Sequence, residues 1–419
     1  MNGIVSAVNK RNLLTFLNIE HCGVDAMNTP CETTDLLVFS HLRWDFVFQR
    51  PQHLLSRHAK HRRVFYFEEP VFGMTELPRL HLRETSENVL VVIPYLPTNI
   101  EPSKMEAALT DLVDELIYEE ELIDYSVWYY TPMALGFTRH LQPSAVIFDC
   151  MDELSLFKGA PQSLIDMEAE LMRKADVVFT GGHSLYEAKK HNHHNIHPFP
   201  SSIDFNHFSQ ARQKLVEPDD QINIPHPRIG FYGVIDERFD IDLLMRMAEL
   251  KPEYQFVIVG PVVKIDPRTL PRRANIHYLG KKDYHALPLY LAGWDCAMMP
   301  FALNDATKFI SPTKTPEFLA AGKPVVSTSI KDVVNPYGHH RLVHIADKPE
   351  DFISCIEKAM EERKHPEWLD RVDHNLSQNS WDITFEKMAA LEKLVNRARP
   401  GIERPQFIQP ASVNVSGVV

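Results

Sequence analysis

Short apolar runs rich in β-branched and aromatic residues alternate with helical segments along most of the chain. LLVFS at residues 36–40, VFYFEE at 64–69 and AVIFDCMDE at 145–153 are three of these runs. Apolar runs of this length are typical of strands covered on both faces of a parallel sheet. Strand–helix alternation at this spacing implies right-handed βαβ units. The sequence therefore predicts an α/β protein built on parallel sheets.

The alternation lapses between residues 201 and 227, where prolines and acidic residues indicate a linker, and it resumes with RIGFYGVI. A chain of 419 residues also exceeds one typical hydrophobic core. We therefore expect two Rossmann-like domains in tandem. The predicted limits are a tail (1–34), an N-terminal domain (35–215), a C-terminal domain (225–380), a helix (381–398) and a second tail (399–419).

The last helix has one apolar face. Trp381, Phe385, Met388 and Leu391 recur at helical spacing, so this face must be buried against another part of the molecule.

Charge and cysteine usage restrict the partners and the compartment. Lys and Arg total 44 against 56 Asp and Glu, a net charge of −12 that argues against a nucleic-acid partner. The five cysteines are odd in number and show no CxxC spacing, which fits a reducing cytoplasm. No apolar run approaches about 18 residues, so no membrane-spanning helix is expected. Residues 12–19 are compatible with a short amphipathic helix on a membrane surface, and the alternatives are disorder or packing on the body of the protein.

The stretch from 311 to 328, SPTKTPEFLAAGKPVVST, predicts a polar loop, a short helix and a buried strand. We expect Thr315 to cap the helix, Pro316 to take its first position and Gly322 to end it in a left-handed conformation. A loop entering a helix in this way aims free N–H groups at one point, which suits a phosphate. Lys314 adds a cation there, and Glu317 offers a carboxylate to the two hydroxyls of a ribose. The alternative is an ordinary α/β turn with a solvated Lys and Glu.

This stretch resembles the nucleotide-sugar signature of glycosyltransferases of the GT-B fold, in particular the GT4-like group. FSHLRWDFVFQRPQHLLSR, VIFDCMDELSLF, ADVVFTGGHSLYEA and FYGVIDERFDIDLL resemble a bacterial subset that acts on surface polysaccharides, over roughly residues 35–398. The resemblance implies two facing Rossmann-like domains, with a C-terminal helix that crosses back to the first. It also implies transfer of a sugar from a UDP- or GDP-sugar donor to a saccharide or lipid-linked acceptor, with no cofactor and no bound metal.

On the C-terminal half, the resemblance implies a donor site in which Glu317 holds the ribose and the loop before it meets the diphosphate. Gly233 lets a phosphate approach the backbone, and Arg238 is expected to neutralise the leaving diphosphate unless it pairs with its acidic neighbours. Turns at the ends of two further strands would read the base. The expected donor-binding residues are Gly233, Arg238, Gly260, Leu279, Ser311, Thr313, Lys314 and Glu317.

On the N-terminal half, side chains at the carboxyl ends of strands are expected to face the same cleft. For the acceptor we expect His41, Trp44 and Arg50, with Trp44 either stacking on a sugar or lying in the core. The expected catalytic residues are Asp149, Asp152 and His183. Asp149 and Asp152 cluster with Glu153 at the carboxyl end of a strand, and one of these three carboxylates would be the general base of an inverting enzyme. In a retaining enzyme the leaving phosphate takes the proton and the aspartates only position the acceptor.

Three further features of the sequence are relevant to this interpretation and to its alternatives. Phe309 stands where many relatives carry a second Glu that touches the donor sugar, so a sugar-nucleotide epimerase of the same fold and a non-catalytic binding protein remain alternatives. No GxGxxG or GxxxxGK[ST] motif follows a strand, which argues against a dinucleotide dehydrogenase and a P-loop NTPase. The histidine run at 191–197 has no acid or Cys beside it, and we expect it to close a helix rather than bind a metal.

Overall fold

The computed structural model describes residues 34–398, which contain two parallel sheets flanked by helices. The predictions for residues 1–33 and 399–419 lie outside the described residues. The strands are β1 (Asp35–Phe39), β2 (Val64–Phe67), β3 (Val71–Phe72), β4 (Arg79–Glu84), β5 (Leu90–Leu96), β6 (Tyr125–Tyr129), β7 (Ala145–Cys150), β8 (Val177–Thr180), β9 (Ile196–Pro198), β10 (Arg228–Tyr232), β11 (Gln255–Val259), β12 (Ile276–Gly280), β13 (Cys296–Met299), β14 (Val325–Ser327) and β15 (Val343–Ile345).

Helices connect nearly all of these strands. They are α1 (Arg50–His58), α2 (Pro102–Glu119), α3 (Leu135–Thr138), α4 (Gln162–Lys174), α5 (His183–Lys189), α6 (Phe205–Ser209), α7 (Ile241–Leu250), α8 (Leu287–Ala292), α9 (Lys314–Ala320), α10 (Lys331–Val333), α11 (Pro349–Glu362), α12 (Pro366–Leu376) and α13 (Trp381–Ala398). Single tighter or wider turns occur at Pro132–Ala134, Leu154–Leu156, Gln210–Arg212, Pro267–Thr269, Tyr284–Ala286, Asp305–Thr307 and Val334–Gly338.

The first lobe is built on a sheet of nine strands among the described residues, in the order β3-β5-β2-β1-β6-β7-β8-β9. Its pairs are parallel, with Leu36 of β1 opposite Val64 of β2. The exception is β4, which runs antiparallel to β5. The alternation of strands and helices did not predict β4, because charged and half-buried residues alternate in RLHLRE and give no apolar run. The predicted parallel α/β architecture is confirmed.

The second lobe has six parallel strands in its part of residues 34–398, in the order β12-β11-β10-β13-β14-β15. β10 lies near the centre, and all of its residues are buried. Gly230 is required there, because a Cβ atom at this position would lie 2.0 Å from the indole ring of Trp294. This close packing fixes β10, whose end carries residues of the site, against the core of the lobe.

Helix α13 lies on the first lobe, as predicted. Trp381 and Met388 are buried in the core on one face of the first sheet, and Phe385 and Leu391 pack against the same cluster. Arg62, which follows α1, holds the helix through a 2.7 Å ion pair with Glu392. The chain therefore returns to the first lobe after completing the second.

The two lobes also touch beside the cleft. Asp332 at α10 accepts a 2.9 Å hydrogen bond from the backbone N–H of Ser184 at the start of α5. Gly182 makes room for this contact, because a Cβ atom there would lie 2.1 Å from Asp332 Oδ2 and 2.8 Å from Ser311 Cβ. The hydroxyl of Ser201 donates to the carbonyl of Ser311 at 2.7 Å. We call this contact, formed by Gly182, Ser184, Ser201, Ser311 and Asp332, the lobe contact.

The histidine run does not close a helix, which corrects the sequence prediction. α5 ends at Lys189, and the run forms a turn that leads into β9. His193 is buried, and its Nε2 lies 2.9 Å from the carbonyl of Ala175. The run is therefore part of the first sheet's edge. None of the helices in the described part of the chain has the length and hydropathy that a bilayer crossing needs.

Candidate active site

A cavity of about 640 Å³ lies between the two lobes, at the carboxyl ends of the central strands. This is where open parallel sheets bind ligands. The first lobe contributes Trp44–Arg50, Arg83–Glu87, Met151 and Asp152 to its wall, and the second contributes Phe231–Val234, Arg238, Val259–Pro261, Lys281–His285, Ile310–Lys314 and Glu317.

The stretch around Lys314 forms part of this wall. Helix α9 begins at Lys314, so the prediction that Thr315 caps it and that Pro316 opens it is wrong. Thr315 is buried inside the helix, and its hydroxyl lies 3.5 Å from the sulfur of Met299. Gly322 has φ +67° and follows the helix end, as expected for a left-handed cap. The earlier start places both Lys314 and Glu317 on the first turn.

Glu317 is a buried carboxylate at the cavity wall, with 7% of its surface exposed. The hydroxyl of Tyr232, the last residue of β10, donates a hydrogen bond to its Oε2. Burial raises the pKa of Glu317 to about 7, and the Lys314 ammonium and the Tyr232 hydroxyl both act against this rise. A group with such a pKa changes its charge in the physiological range and responds to any ligand that donates hydrogen bonds.

Lys314 lies beside Gly233, and Gly233 lies against Gly260 at the end of the neighbouring strand. A Cβ atom at Gly233 would lie 2.6 Å from Lys314 Cε, and one at Gly260 would lie 1.8 Å from the carbonyl oxygen of Gly233. Both glycines have positive φ, at +149° and +145°. Lys314 Nζ has no carboxylate within 4 Å among residues 34–398. Burial lowers the pKa of Lys314, opposed by Glu317. The site thus combines open backbone with an unpaired cation.

Arg238 shares the cavity wall but is already paired. Its guanidinium donates to both carboxylate oxygens of Asp236, at 2.7 to 3.2 Å. It also lies 5.5 Å from the ring centre of Phe157 in the first lobe. The alternative of an ion pair with a neighbouring acid is therefore what the structure shows, although the side chain stays at the cavity and partly exposed.

Asp149 is not an accessible base in this structure, which corrects the expectation for this residue. It is 0% exposed, and Arg50 donates to its carboxylate through Nε and Nη2 at 2.9 to 3.1 Å. Arg50 also bonds the carbonyl of Phe199 at 2.7 Å. Because the guanidinium is engaged on both sides, Arg50 reaches the cavity wall as part of a buried ion pair rather than as a free cation.

The structure brings Asp152 to the cavity and leaves three other expected residues away from its wall. Asp152 is half-buried and lies close enough to Lys314 and Arg238 of the other lobe to affect the pKa of each. His183 instead lines a neighbouring pocket of about 200 Å³ beside the lobe contact. His41 is largely buried and burial lowers its pKa, while Leu279 packs on the core of the second lobe.

Trp44 belongs to the core, the second of the two alternatives. It is 5% exposed, packs edge-to-face on Tyr66 at 5.1 Å and borders the cavity only at its floor. The backbone N–H of Trp44 donates to Glu68 at 2.7 Å, which fixes the loop. Phe48 of this loop is half-buried and stacks on Tyr284 of the second lobe at 4.5 Å. The bulky loop thus forms an interlobe contact at the cavity mouth.

Several wall residues were not expected from the sequence. Tyr232 ends an apolar strand and looks like a core residue, so only its hydroxyl marks it. The turn at 84–87 follows β4, which the alternation did not predict. Phe309, the departure from the signature, packs partly against the core of the first lobe, and Lys308 and Lys331 lie 5.3 and 5.8 Å from its ring. Within residues 34–398 no group of three His, Cys, Asp or Glu side chains is placed to hold a metal ion.

The sequence of the second lobe and the fold are both similar to those of known proteins. A sequence model of the family described as Glycosyl transferases group 1 matches residues 226–362. TuaH of Bacillus subtilis (strain 168), which is named for a glycosyltransferase role in teichuronic acid biosynthesis, is 24% identical over 283 residues. That match covers 62% of this chain and 70% of TuaH.

Two solved structures illustrate the similarity of fold. Sucrose-phosphate synthase (tll1590) of Thermosynechococcus elongatus superposes with a TM-score of 0.64 at 13% identity, covering 88% of this chain and 100% of that one. Anabaena HepE in complex with UDP-glucose gives a TM-score of 0.64 at 12% identity, covering 86% of this chain and 100% of that one.

The two lobes, the cleft between them and the solved structures show the GT-B fold. The match of residues 226–362 to the model described as Glycosyl transferases group 1, together with the similarity to TuaH, shows a glycosyltransferase. The expected fold and enzyme class are confirmed. Assignment to the GT4-like group, the domain limits and the roles of individual site residues stay predictions.

Proposed function

We propose that this enzyme moves a sugar from a UDP- or GDP-sugar to a saccharide or lipid-linked acceptor during synthesis of a cell-surface polysaccharide. The observation that carries the proposal is the position of Lys314 and Glu317 in the wall of the interlobe cleft, facing Asp152 of the other lobe. Structures of HepE with UDP and with UDP-glucose, and the name of TuaH, support the donor and the pathway class.

In this proposal the second lobe binds the donor. Glu317 accepts hydrogen bonds from the ribose diol, and the positive end of α9 with Lys314 holds the diphosphate. Gly233 and Gly260 lie in the cavity wall beside Lys314, and in this proposal their backbone contacts the phosphates. Arg238, although paired with Asp236, adds positive charge as the diphosphate leaves.

In the first lobe, Asp152 holds the acceptor hydroxyl. The bond between the sugar's anomeric carbon and the diphosphate oxygen breaks, and a bond to the acceptor oxygen forms. The proton of the acceptor hydroxyl passes to Asp152 in an inverting reaction or to the leaving phosphate in a retaining one. Asp152 is the better candidate of the two aspartates, because the carboxylate of Asp149 is held by Arg50.

We further propose that transfer needs no metal, since Lys314 and Arg238 already supply positive charge at the cleft. Activity should survive exhaustive treatment with EDTA, and loss of activity that Mg²⁺ or Mn²⁺ restores would contradict this. A cytoplasmic location with peripheral contact at the inner membrane face is the setting that fits such an acceptor.

The function is tested by incubating purified protein with a panel of UDP- and GDP-sugars, with and without saccharide and lipid-linked acceptors. Release of nucleoside diphosphate that depends on acceptor supports the proposal. Conversion of the donor without release indicates an epimerase, and binding without either indicates a non-catalytic protein. In an inverting reaction, Asp152→Asn should lower turnover at least about 100-fold, as expected for loss of acid–base assistance. Asp166→Asn, an exposed change on α4, should leave turnover intact.

A further inference from the structure

Tyr232 and Glu317 form a buried pair at the cavity wall that the proposed function does not by itself explain. Tyr232 ends β10 and is 6% exposed, and its hydroxyl donates to Oε2 of Glu317. Both side chains line the cleft. We propose that Tyr232 is a positioning residue: it holds one oxygen of the Glu317 carboxylate and leaves the other directed at the ribose hydroxyls of a bound nucleotide.

Packing fixes the Tyr232 ring, so its hydroxyl has one position. The ring lies edge-to-face against Phe318 of α9 at 4.9 Å and is nearly parallel to Phe208 at 6.3 Å. Trp294, which itself fills the space over Gly230, lies 6.2 Å away. A phenol enclosed by three aromatic rings has little freedom to rotate, and its hydrogen bond is therefore preorganised.

The hydrogen bond also separates Glu317 from Lys314. The two side chains lie on the same turn of α9, yet no ion pair within 4 Å joins them in the described residues. Because Tyr232 satisfies one carboxylate oxygen, Glu317 is directed at the ribose side of the cleft, and the Lys314 ammonium stays available beside Gly233. One phenol thereby divides the site into a ribose half and a phosphate half.

This inference rests on the proposed function, since it assumes that a nucleotide occupies the cleft. The experiment measures the affinity of wild type and of Tyr232→Phe for UDP or GDP, whichever wild type binds, and for the matching 2′-deoxy nucleotide. Tyr232→Phe should weaken binding of the ribonucleotide about tenfold, the effect of one hydrogen bond to a charged group. It should weaken binding of the 2′-deoxy nucleotide much less, because the contact that Tyr232 positions is then missing.

Two further measurements keep the result specific. Tyr254→Phe changes a tyrosine of similar burial in the same core. Tyr254 lies just before β11, at the amino ends of the strands and away from the cleft, so the change should leave both affinities unchanged. In wild type, the hydrogen bond from Tyr232 lowers the pKa of Glu317. Its loss in Tyr232→Phe should raise that pKa, so the pH at which ribonucleotide affinity falls by half should be higher in the variant.

Equal loss of both affinities, or no loss of either, would overturn the positioning role. If wild type binds no nucleoside diphosphate at all, the proposed function fails first and is distinguished in that way.

Discussion

At the scale of single residues, the cleft contains two kinds of charged group. Some already form ion pairs within the protein, and others have no ion-pair partner among residues 34–398. Asp149 with Arg50, and Asp236 with Arg238, are complete pairs. Lys314 and Asp152 have no ion-pair partner within 4 Å among residues 34–398, and Glu317 has only a neutral hydroxyl. Because unpaired charges near a cleft contribute most to ligand binding, we expect Lys314, Asp152 and Glu317 to contact the ligands directly. The paired groups mainly stabilise the walls of the cleft.

Glu317 should make the free protein less stable as the pH rises. Its pKa is about 7 in the folded protein against an ordinary value of 4.5, so the folded state binds its proton more tightly. The resulting stability is complete below pH 4.5 and is lost as the pH rises through 7, by about 3 kcal/mol as an upper value. Chemical denaturation of wild type and Glu317→Gln between pH 4.5 and 8 measures this. A constant difference between the two would contradict it.

The Arg50–Asp149 pair should be structural. Asp149→Asn leaves the buried guanidinium without its counter-charge and should cost about 3–5 kcal/mol of unfolding free energy. Arg268→Ala, which breaks the solvent-exposed pair with Asp266, should leave the unfolding free energy nearly unchanged. Urea titration followed by far-UV circular dichroism tests both. An Asp149→Asn protein of unchanged stability but lost transfer activity would restore Asp149 as a base.

At the scale of elements, the end of β10 and the start of α9 are fitted to each other. Gly233 leaves space for the Lys314 side chain. The preceding residue, Tyr232, hydrogen-bonds Glu317, three residues after Lys314 on the same turn of α9. Neither contact can be read from the periodicity of a strand or a helix. Both depend on which strand of the second sheet lies next to which helix.

Gly233→Ala tests this fit. The added methyl group would lie 2.6 Å from Lys314 Cε and would displace the ammonium, so nucleoside diphosphate affinity should fall roughly 10- to 100-fold, as for one lost charge-assisted contact. Gly159→Ala is the control, because Gly159 also has positive φ but nothing lies within 4 Å of its added Cβ. Isothermal titration with the nucleotide measures both. Equal affinity in the two variants would remove Lys314 from the phosphate site.

The sequence predicted most elements because apolar runs and helix periods are local properties. It predicted the strands within 36–40, 64–69 and 145–153 and the Gly322 cap, and it predicted that Ser311, Thr313, Lys314 and Glu317 lie at the cleft. It left the core position of Trp44 as one of two alternatives, and it did not anticipate the pairing of Asp149 with Arg50 or of Tyr232 with Glu317. Those contacts join residues far apart in the chain, and a single sequence carries no signal for them.

At the scale of the whole molecule, the lobe contact joins the two lobes beside the cleft, and we expect it to set the width of the cleft. Gly182→Ala would place a methyl group 2.1 Å from Asp332 Oδ2 and 2.8 Å from Ser311 Cβ, so the two lobes must move apart. The radius of gyration from small-angle X-ray scattering should rise, and transfer should slow because the residues of the two lobes no longer meet one substrate.

Gly136→Ala is the matched control for this change. Its added Cβ would meet only the flexible end of Glu106 within the first lobe, so the distance between the lobes should stay as in wild type. A Gly182→Ala protein with wild-type scattering and wild-type transfer would show that the lobe contact does not control the cleft.

The return of α13 to the first lobe has a consequence for biosynthesis. The ribosome delivers β1 to β9 first, but Trp381 and Met388, which seal one face of that sheet, emerge roughly 180 residues after β9. At about 5–20 residues per second, the nascent first lobe waits some 10–40 s with this apolar face uncovered. During that interval, a chaperone that covers the apolar surface over α1 and β7, where α13 later packs, would protect the nascent chain from aggregation.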